Sequence, residues 1–403
     1  MVFATSHSYR QTVGWVFALL SLVSLLSNTA ANAGSREQAK RIHDRIVGVP
    51  PSDSVLNSME ASITGGDVVG AATTAMNNPA FYNVTLKNWS MPWTNRDHTV
   101  FAPLNDFTAT VVGLVRDDED FRQVLYADVV YVGAGSLGIT PYSMANNDHY
   151  AALESQGVDL KANLVKTTQS AVTDIPSTAT AGVMTTRAGA AAFFVAGTNR
   201  AMLRFTFMNF LCNDLEQVKD ITRSPDRIRQ DVSRSPGGDS RIFMNSCIGC
   251  HAGMDPLAQA FAYYNFDETL GRLLYNDVGA VDPKTGTRVQ AKYHINSDNF
   301  KYGYVTPNDS WDNHWRADAN SALGWDGALS GSGAGAKSMG MELAHSEAFA
   351  HCQVKKVFKV ACLRDPVDIN DRNQIDAMTT SFKSNGYKLK RVFAEAANYC
   401  KGN

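Results

Sequence analysis

The sequence predicts a mainly α, multi-helix protein, and three observations carry that expectation. Apolar residues recur at helical intervals in "REQAKRIHDRIVG" (36–48), "DFTATVVGLVRDDEDFRQVLYADVV" (106–130), "AMLRFTFMNFLCNDLEQV" (201–218), "SEAFAHCQVKKVFKVAC" (346–362) and "NQIDAMTTSFKSNGYKLKRVFAEAANYC" (373–400). Strand-like alternation is sparse, with "GTRVQAKYHI" (286–295) the best short run. Chain breakers collect at "VGVPPSDS" (47–54), "SRSPGGDS" (233–240) and "LSGSGAGAKS" (329–338), which read as connections between helices. The Pro-Gly-Gly at 236–238 is the natural hinge among them.

The first segment reads as an export signal. Arg10 is the only formally charged side chain in the first 35 residues, an apolar stretch runs from Val13 to Leu26, and Ala31 and Ala33 supply the small-residue pattern of a signal-peptidase site. The apolar run is shorter than the roughly 20 residues that cross a bilayer, so residues 1–33 are expected to be cleaved rather than to anchor the chain. A periplasmic or otherwise exported location follows. Beyond it lie an N-terminal helical domain (34–180), a module around two closely spaced cysteines (181–290), an aromatic-rich insert (291–336) and a C-terminal helical module (337–403). A composition of 44% hydrophobic and 19% charged residues is that of a globular chain, and a formal net charge of -2 gives no reason to expect nucleic acid or an anionic membrane as partner.

Six cysteines sit at 212, 247, 250, 352, 362 and 400. In an exported chain an even count first suggests disulfides. Cys247 and Cys250 depart from that reading because His251 follows at once, in "NSCIGCHAGMDP" (245–256). Two thiols at this offset on a helical turn can add to the two vinyl groups of haem, and the next residue brings an imidazole to the iron as proximal ligand. One such motif implies one haem c per chain. A thioredoxin-like dithiol belongs between a strand and a helix of a small βαβ domain, and a structural zinc site needs a second ligand pair; the flanking sequence shows neither.

The run "CIGCHAGMDPLAQAFAYYNFDETLGR" (247–272) resembles the haem-motif region of the planctomycete-type cytochrome c family, whose adjoining modules are mostly domains of unknown function. The family's Asp-Pro-Leu step, Phe-Asp and Gly-Arg correspond to Asp255, Pro256, Leu257, Phe266, Asp267, Gly271 and Arg272. Looser similarity appears at 117–133, 181–212, 336–358 and 368–396, segments spread along most of the length beyond the signal. Two departures stand out. The family's histidine after a Leu-Thr step has no counterpart in Gly182, Val183, Met184, Thr185 and Thr186, and "NSDNFKYGYVTPNDSWDNHWRADANSALGWDG" (296–327) is an insert that reads either as a surface excursion or as a wall or lid near the haem.

The remaining four cysteines allow three pairings. Cys362 with Cys400 would staple the last helical hairpin to its end, and Cys212 with Cys352 would tie the segment before the haem motif to the C-terminal module. Candidates for a sixth iron ligand are Met184, Met339, Met341 and His345, at most one of which can serve, and each reads equally as core or surface. Arg200 and Arg204 are candidates for pairing with haem propionates. Asp255 before Pro256 is expected to turn the chain out of the haem segment rather than to act at the iron. The expected function is electron transfer with an unidentified redox partner protein, and no catalytic residue is assigned. The alternatives are a haem enzyme of peroxidase or oxygenase type, favoured by a chain longer than the about 100 residues a shuttle needs, and a binding protein with structural haem.

Overall fold

The computed structural model describes residues 33–195, 197–223, 240–298 and 301–402, so the signal segment up to residue 32 and the 236–238 hinge lie outside the described residues. The fold is mainly helical, as expected. α1 (Ser35–Val47) buries Ala39, Ile42 and Ile46, spaced three or four apart, and stops at Gly48 before the paired prolines. α2 (Asp53–Thr64) and α3 (Val68–Ala75) start at side-chain caps, Ser52 accepting from the Val55 amide and Asp67 from that of Gly70. α4 (Asp106–Arg116) is buried from Asp106 through Val115, which marks it as a central helix rather than a surface one.

The periodic run 106–130 does not continue as one helix. α4 ends at Arg116, Asp118 takes a left-handed φ of 54°, a short 3-10 turn spans Phe121–Leu125, and β1 (Val130–Gly133) follows. Asp117 explains part of the break: its carboxylate accepts from Arg116 and from the Tyr131 hydroxyl, holding the reversed chain against the helix it left. After α5 (Asp148–Ser155), β2 (Leu164–Thr167) pairs antiparallel with β1, Val130 opposite Thr167. α6 (Arg187–Phe193) and α7 (Arg200–Thr206) lead to α8 (Ile248–Ala258), which carries Cys250 and His251. α7 continues into a π turn over Phe207–Leu211 and ends at Cys212 (φ 55°), short of the expected 218.

β3 (Tyr264–Asp267) and β4 (Arg272–Tyr275) form a hairpin; β5 (Ser310–Asp312) and β6 (Ser332–Ala334) form another antiparallel pair within the aromatic-rich region. The strand expected at 286–295 is absent; Ala291–His294 forms a 3-10 turn instead. Its alternating Val289 and Tyr293 are buried, but in a small satellite core with Ala262 and Tyr263. The Asp282 carboxylate accepts amides from Lys284 and Ala291, curling the segment on itself. The breaker run at 329–338 is likewise only partly a connection, because α9 (Gly335–Ala344) begins inside it.

α10 (Glu347–Cys362), α11 (Ile369–Ser384) and α12 (Leu389–Cys400) complete the chain as two helical hairpins. α10 and α12 pack on α1, and α12 also on α3. Arg41 and Arg45 of α1 donate to the last carbonyls of the C-terminal helix, those of Lys401 (2.6 Å) and Cys400 (2.5 Å). One apolar core runs from Ala39 to Ala397 and takes side chains from all four of the segments beyond the signal. No helix among the described residues is long and apolar enough to cross a membrane.

Candidate functional site

Cys247 closes a π turn (Phe243–Cys247) and is the N-cap residue of α8, so the two thiols and the histidine lie together at the start of that helix. Cys212 pairs with Cys352 and Cys362 with Cys400, with Cα atoms 5.3 and 5.4 Å apart, while Cys247 and Cys250 remain thiols. Cys250 lies between the Leu215 carbonyl (3.6 Å) and the Glu216 carboxylate (3.8 Å). Burial, then the Glu216 charge, pushes its thiol up from the ordinary value. A thiol raised in this way is less readily ionised to the thiolate. Nor do three His, Cys, Asp or Glu side chains converge as a metal-holding group among the described residues.

His251 projects from the same turn with 21% of its side chain exposed, against 2% for Asp255 one helical turn later. Its Nδ1 stands 3.0 Å from Asp255 Oδ2, and its ring meets Phe243 edge-on at 5.1 Å. Arg200, the first residue of α7, grips the same carboxylate with two bonds, Nε to Oδ1 at 2.6 Å and Nη2 to Oδ2 at 3.0 Å. Burial pushes the Asp255 carboxyl up, but the charges of Arg200 and His251 outweigh it and hold the group well below the usual carboxylate range. An ionised carboxylate only accepts, so Nδ1 carries a proton, and in the neutral ring Nε2 is the nitrogen with a lone pair to offer.

The framework around this triad is built from backbone acceptors. Asn199, left-handed at φ 61°, donates to the carbonyls of Phe261 and Tyr264, both at 2.9 Å, which fixes the start of α7 against the chain leaving α8. Lys292 donates to Asn199 Oδ1 at 2.6 Å, and burial brings its ammonium down to about 7. Pro256 sits inside α8 rather than ending it. Having no N–H, it releases the Ala252 carbonyl four residues back, and the His314 Nδ1 from the insert takes that acceptor at 3.1 Å. Gly253 lies under Trp315, where a Cβ would come within 2.2 Å of the indole. The insert therefore packs directly on the helix that carries the motif.

The expectation that Asp255 turns the chain out of the haem segment is corrected: it lies in mid-helix and holds His251. Arg204 does not join the cluster but pairs with Asp214 in two bonds of 2.7 and 2.6 Å. The sixth-ligand candidates gather elsewhere. Met184 is buried beside Gly340, Met339 is fully buried, Met341 is exposed, and His345 turns its Nδ1 to the Met341 carbonyl at 2.8 Å. α9, which carries Met339 and Met341, packs on the Gln259–Phe261 turn. That turn begins eight residues past His251, about 12 Å at ~1.5 Å per residue.

The donor set of α8 suits covalent haem. It offers two unpaired thiols three residues apart, an imidazole whose tautomer is fixed, and apolar side chains left uncovered next to them. Ile242 and Met244, just before Cys247, and Ile221, whose methyl flanks Gly249, are exposed. Comparison with family models, curated proteins and solved structures gave no match for this chain. The resemblance to the planctomycete-type cytochromes thus rests on the motifs quoted from the sequence.

Proposed function

We propose that the chain is an exported, single-haem c-type cytochrome that exchanges electrons with a redox partner protein. The observation that carries this reading is the start of α8, where Cys247, Cys250 and His251 are presented together with the imidazole held by a buried carboxylate. Cys247 and Cys250 would hold the group as thioethers, and His251 Nε2 would be its iron ligand. When bound, the haem supplies a one-electron ferric–ferrous couple.

The chain's own residues do the rest. Asp255 fixes the His251 tautomer and the ring's orientation, and Arg200 pairs its positive charge with the same buried carboxylate. Gly253 admits Trp315, which with His314 braces α8 from the insert. The two disulfides support an oxidising compartment, where haem attachment to cysteines takes place.

The test is the visible spectrum of the exported protein when oxidised, reduced, and reduced under carbon monoxide, with haem retention after acid-acetone extraction. Retained haem whose sharp reduced bands ignore carbon monoxide is the expected result. Haem that shifts at once under carbon monoxide would turn the reading to a haem enzyme, and no haem would return the motif to thiol chemistry. Cys247→Ala or Cys250→Ala should weaken covalent retention. Expression without the export signal should give apoprotein, and full loading there would refute the exported location.

A further inference from the structure

We infer that Asp255 and Arg200 form an opposed pair that sets the reduction potential through His251, Asp255 lowering it and Arg200 raising it. This rests on the proposed haem reading and adds to it the residues that tune the site. Both partners meet at one oxygen. Asp255 Oδ2 is 3.0 Å from His251 Nδ1 and also 3.0 Å from Arg200 Nη2, so imidazole and guanidinium compete for the same lone-pair density.

A carboxylate that accepts the Nδ1–H draws that proton toward itself and makes the ring a stronger donor at Nε2. Stronger donation favours the oxidised metal. Arg200 withdraws density from the carboxylate through both oxygens and weakens the effect. With 2% of the Asp255 side chain exposed, little water is present to screen either interaction. Arg200 is itself pinned, its Nη1 donating to Thr198 Oγ1 at 2.8 Å and its neighbour Asn199 fixed to the chain beyond α8. The competition is therefore built into the meeting of two helices, α7 and α8, and not into a mobile surface pair.

Neither residue would be a ligand, so both are positioning residues and the readout is the midpoint potential. Asp255→Asn keeps the shape and an acceptor oxygen but removes the charge; its reduced-to-oxidised ratio at the wild-type midpoint should rise about tenfold, ~59 mV for one electron. Arg200→Gln should move the ratio by a similar factor the other way, with Arg200→Lys between it and wild type. Asp255→Glu should bring the potential back toward wild type.

A structural salt bridge alone would not give shifts of opposite sign. Potentials that stay at the wild-type value while haem is retained, or that move in the same direction in both variants, overturn the inference and leave the haem reading standing. Wild-type protein without covalent haem overturns the reading itself. Should Asp255→Asn fail to accumulate, the order of Arg200→Gln, Arg200→Lys and wild type decides.

Discussion

Gly253→Ala tests the packing that braces the motif helix, because two ordinary rules predict opposite outcomes. In an exposed helix, alanine in place of glycine stabilises by about 1 kcal/mol. Here the added Cβ would lie 2.2 Å from Trp315 Cε2, 2.3 Å from Nε1 and 2.6 Å from Cζ2. Ordinary carbon contacts begin near 3.5 Å, so the indole must retreat by more than about 1 Å. It has little room. Trp315 is 2% exposed, its ring packs on Phe207 at 4.7 Å, its amide donates to Asn313 Oδ1 at 3.1 Å, and its carbonyl accepts from Trp325 Nε1 at 2.8 Å. Overpacking costs about 1–3 kcal/mol, and three ring atoms inside contact distance place this site near about 3. The net expectation is a loss of about 2 kcal/mol, or about 3 °C in Tm at ~2 cal/mol/K per residue. Thermal unfolding followed by circular dichroism measures it. Combining Gly253→Ala with Trp315→Phe should cost less than the sum of the single changes. A rise in Tm for Gly253→Ala alone would refute the close approach.

Further predictions concern the groups that support the same framework. His314→Ala leaves the Ala252 carbonyl without the imidazole that replaces the missing Pro256 amide, and should cost about 1–3 kcal/mol in urea unfolding; an unchanged midpoint would mean the carbonyl has another partner. The disulfides close loops of separation 140 (Cys212–Cys352) and 38 (Cys362–Cys400), for which the chain-entropy relation gives about 5 and about 4 kcal/mol. Removing the first pair as a double alanine variant should therefore lower stability more than removing the second, and the reverse order would show that native-state packing dominates. His43 is buried with Nδ1 on the Val49 carbonyl at 2.9 Å, and burial holds its folded value below the ordinary 6.5. The unfolded chain then binds the proton more readily, so stability should fall as pH drops through 6.5 and continue falling to the lower folded value. His43→Gln should flatten that part of the stability–pH curve.

Helices with one apolar stripe were legible because burial on one face leaves a period in the sequence. α1 and α10 follow it to within a few residues of the expected bounds, while the single run 373–400 divides into α11 and α12 between Ser384 and Leu389. The run 106–130 misleads for the opposite reason. α4 is buried on every side, its apolar residues are nearly continuous, and no period marks where it stops; Asp118 and the Asp117–Tyr131 bond decide that. The disulfides join the pairs named from the sequence, Cys212 with Cys352 and Cys362 with Cys400, but four cysteines leave three pairings and the sequence alone does not choose among them. Trp315 and His314 could not be assigned to α8 from sequence, since their contacts join residues some sixty positions apart.

The Asp255–Pro256 step shows how a sound local rule reached the wrong site residue. A proline disfavours helix for the residue before it and removes an amide, so a turn was the reasonable expectation. Three contacts from elsewhere reverse the balance. His251 and Arg200 bond the carboxylate of Asp255, which rewards that residue for staying helical, and His314 takes the acceptor that Pro256 abandons. Only the first of these was visible in advance: His251 and Asp255 are four apart, the spacing at which side chains meet along a helix. The same proline that argued against the helix frees the carbonyl through which the insert grips it. The His–Asp spacing and the proline therefore belong to one device, in which α7 holds the carboxylate, the insert holds the backbone, and the imidazole between them is left a single orientation.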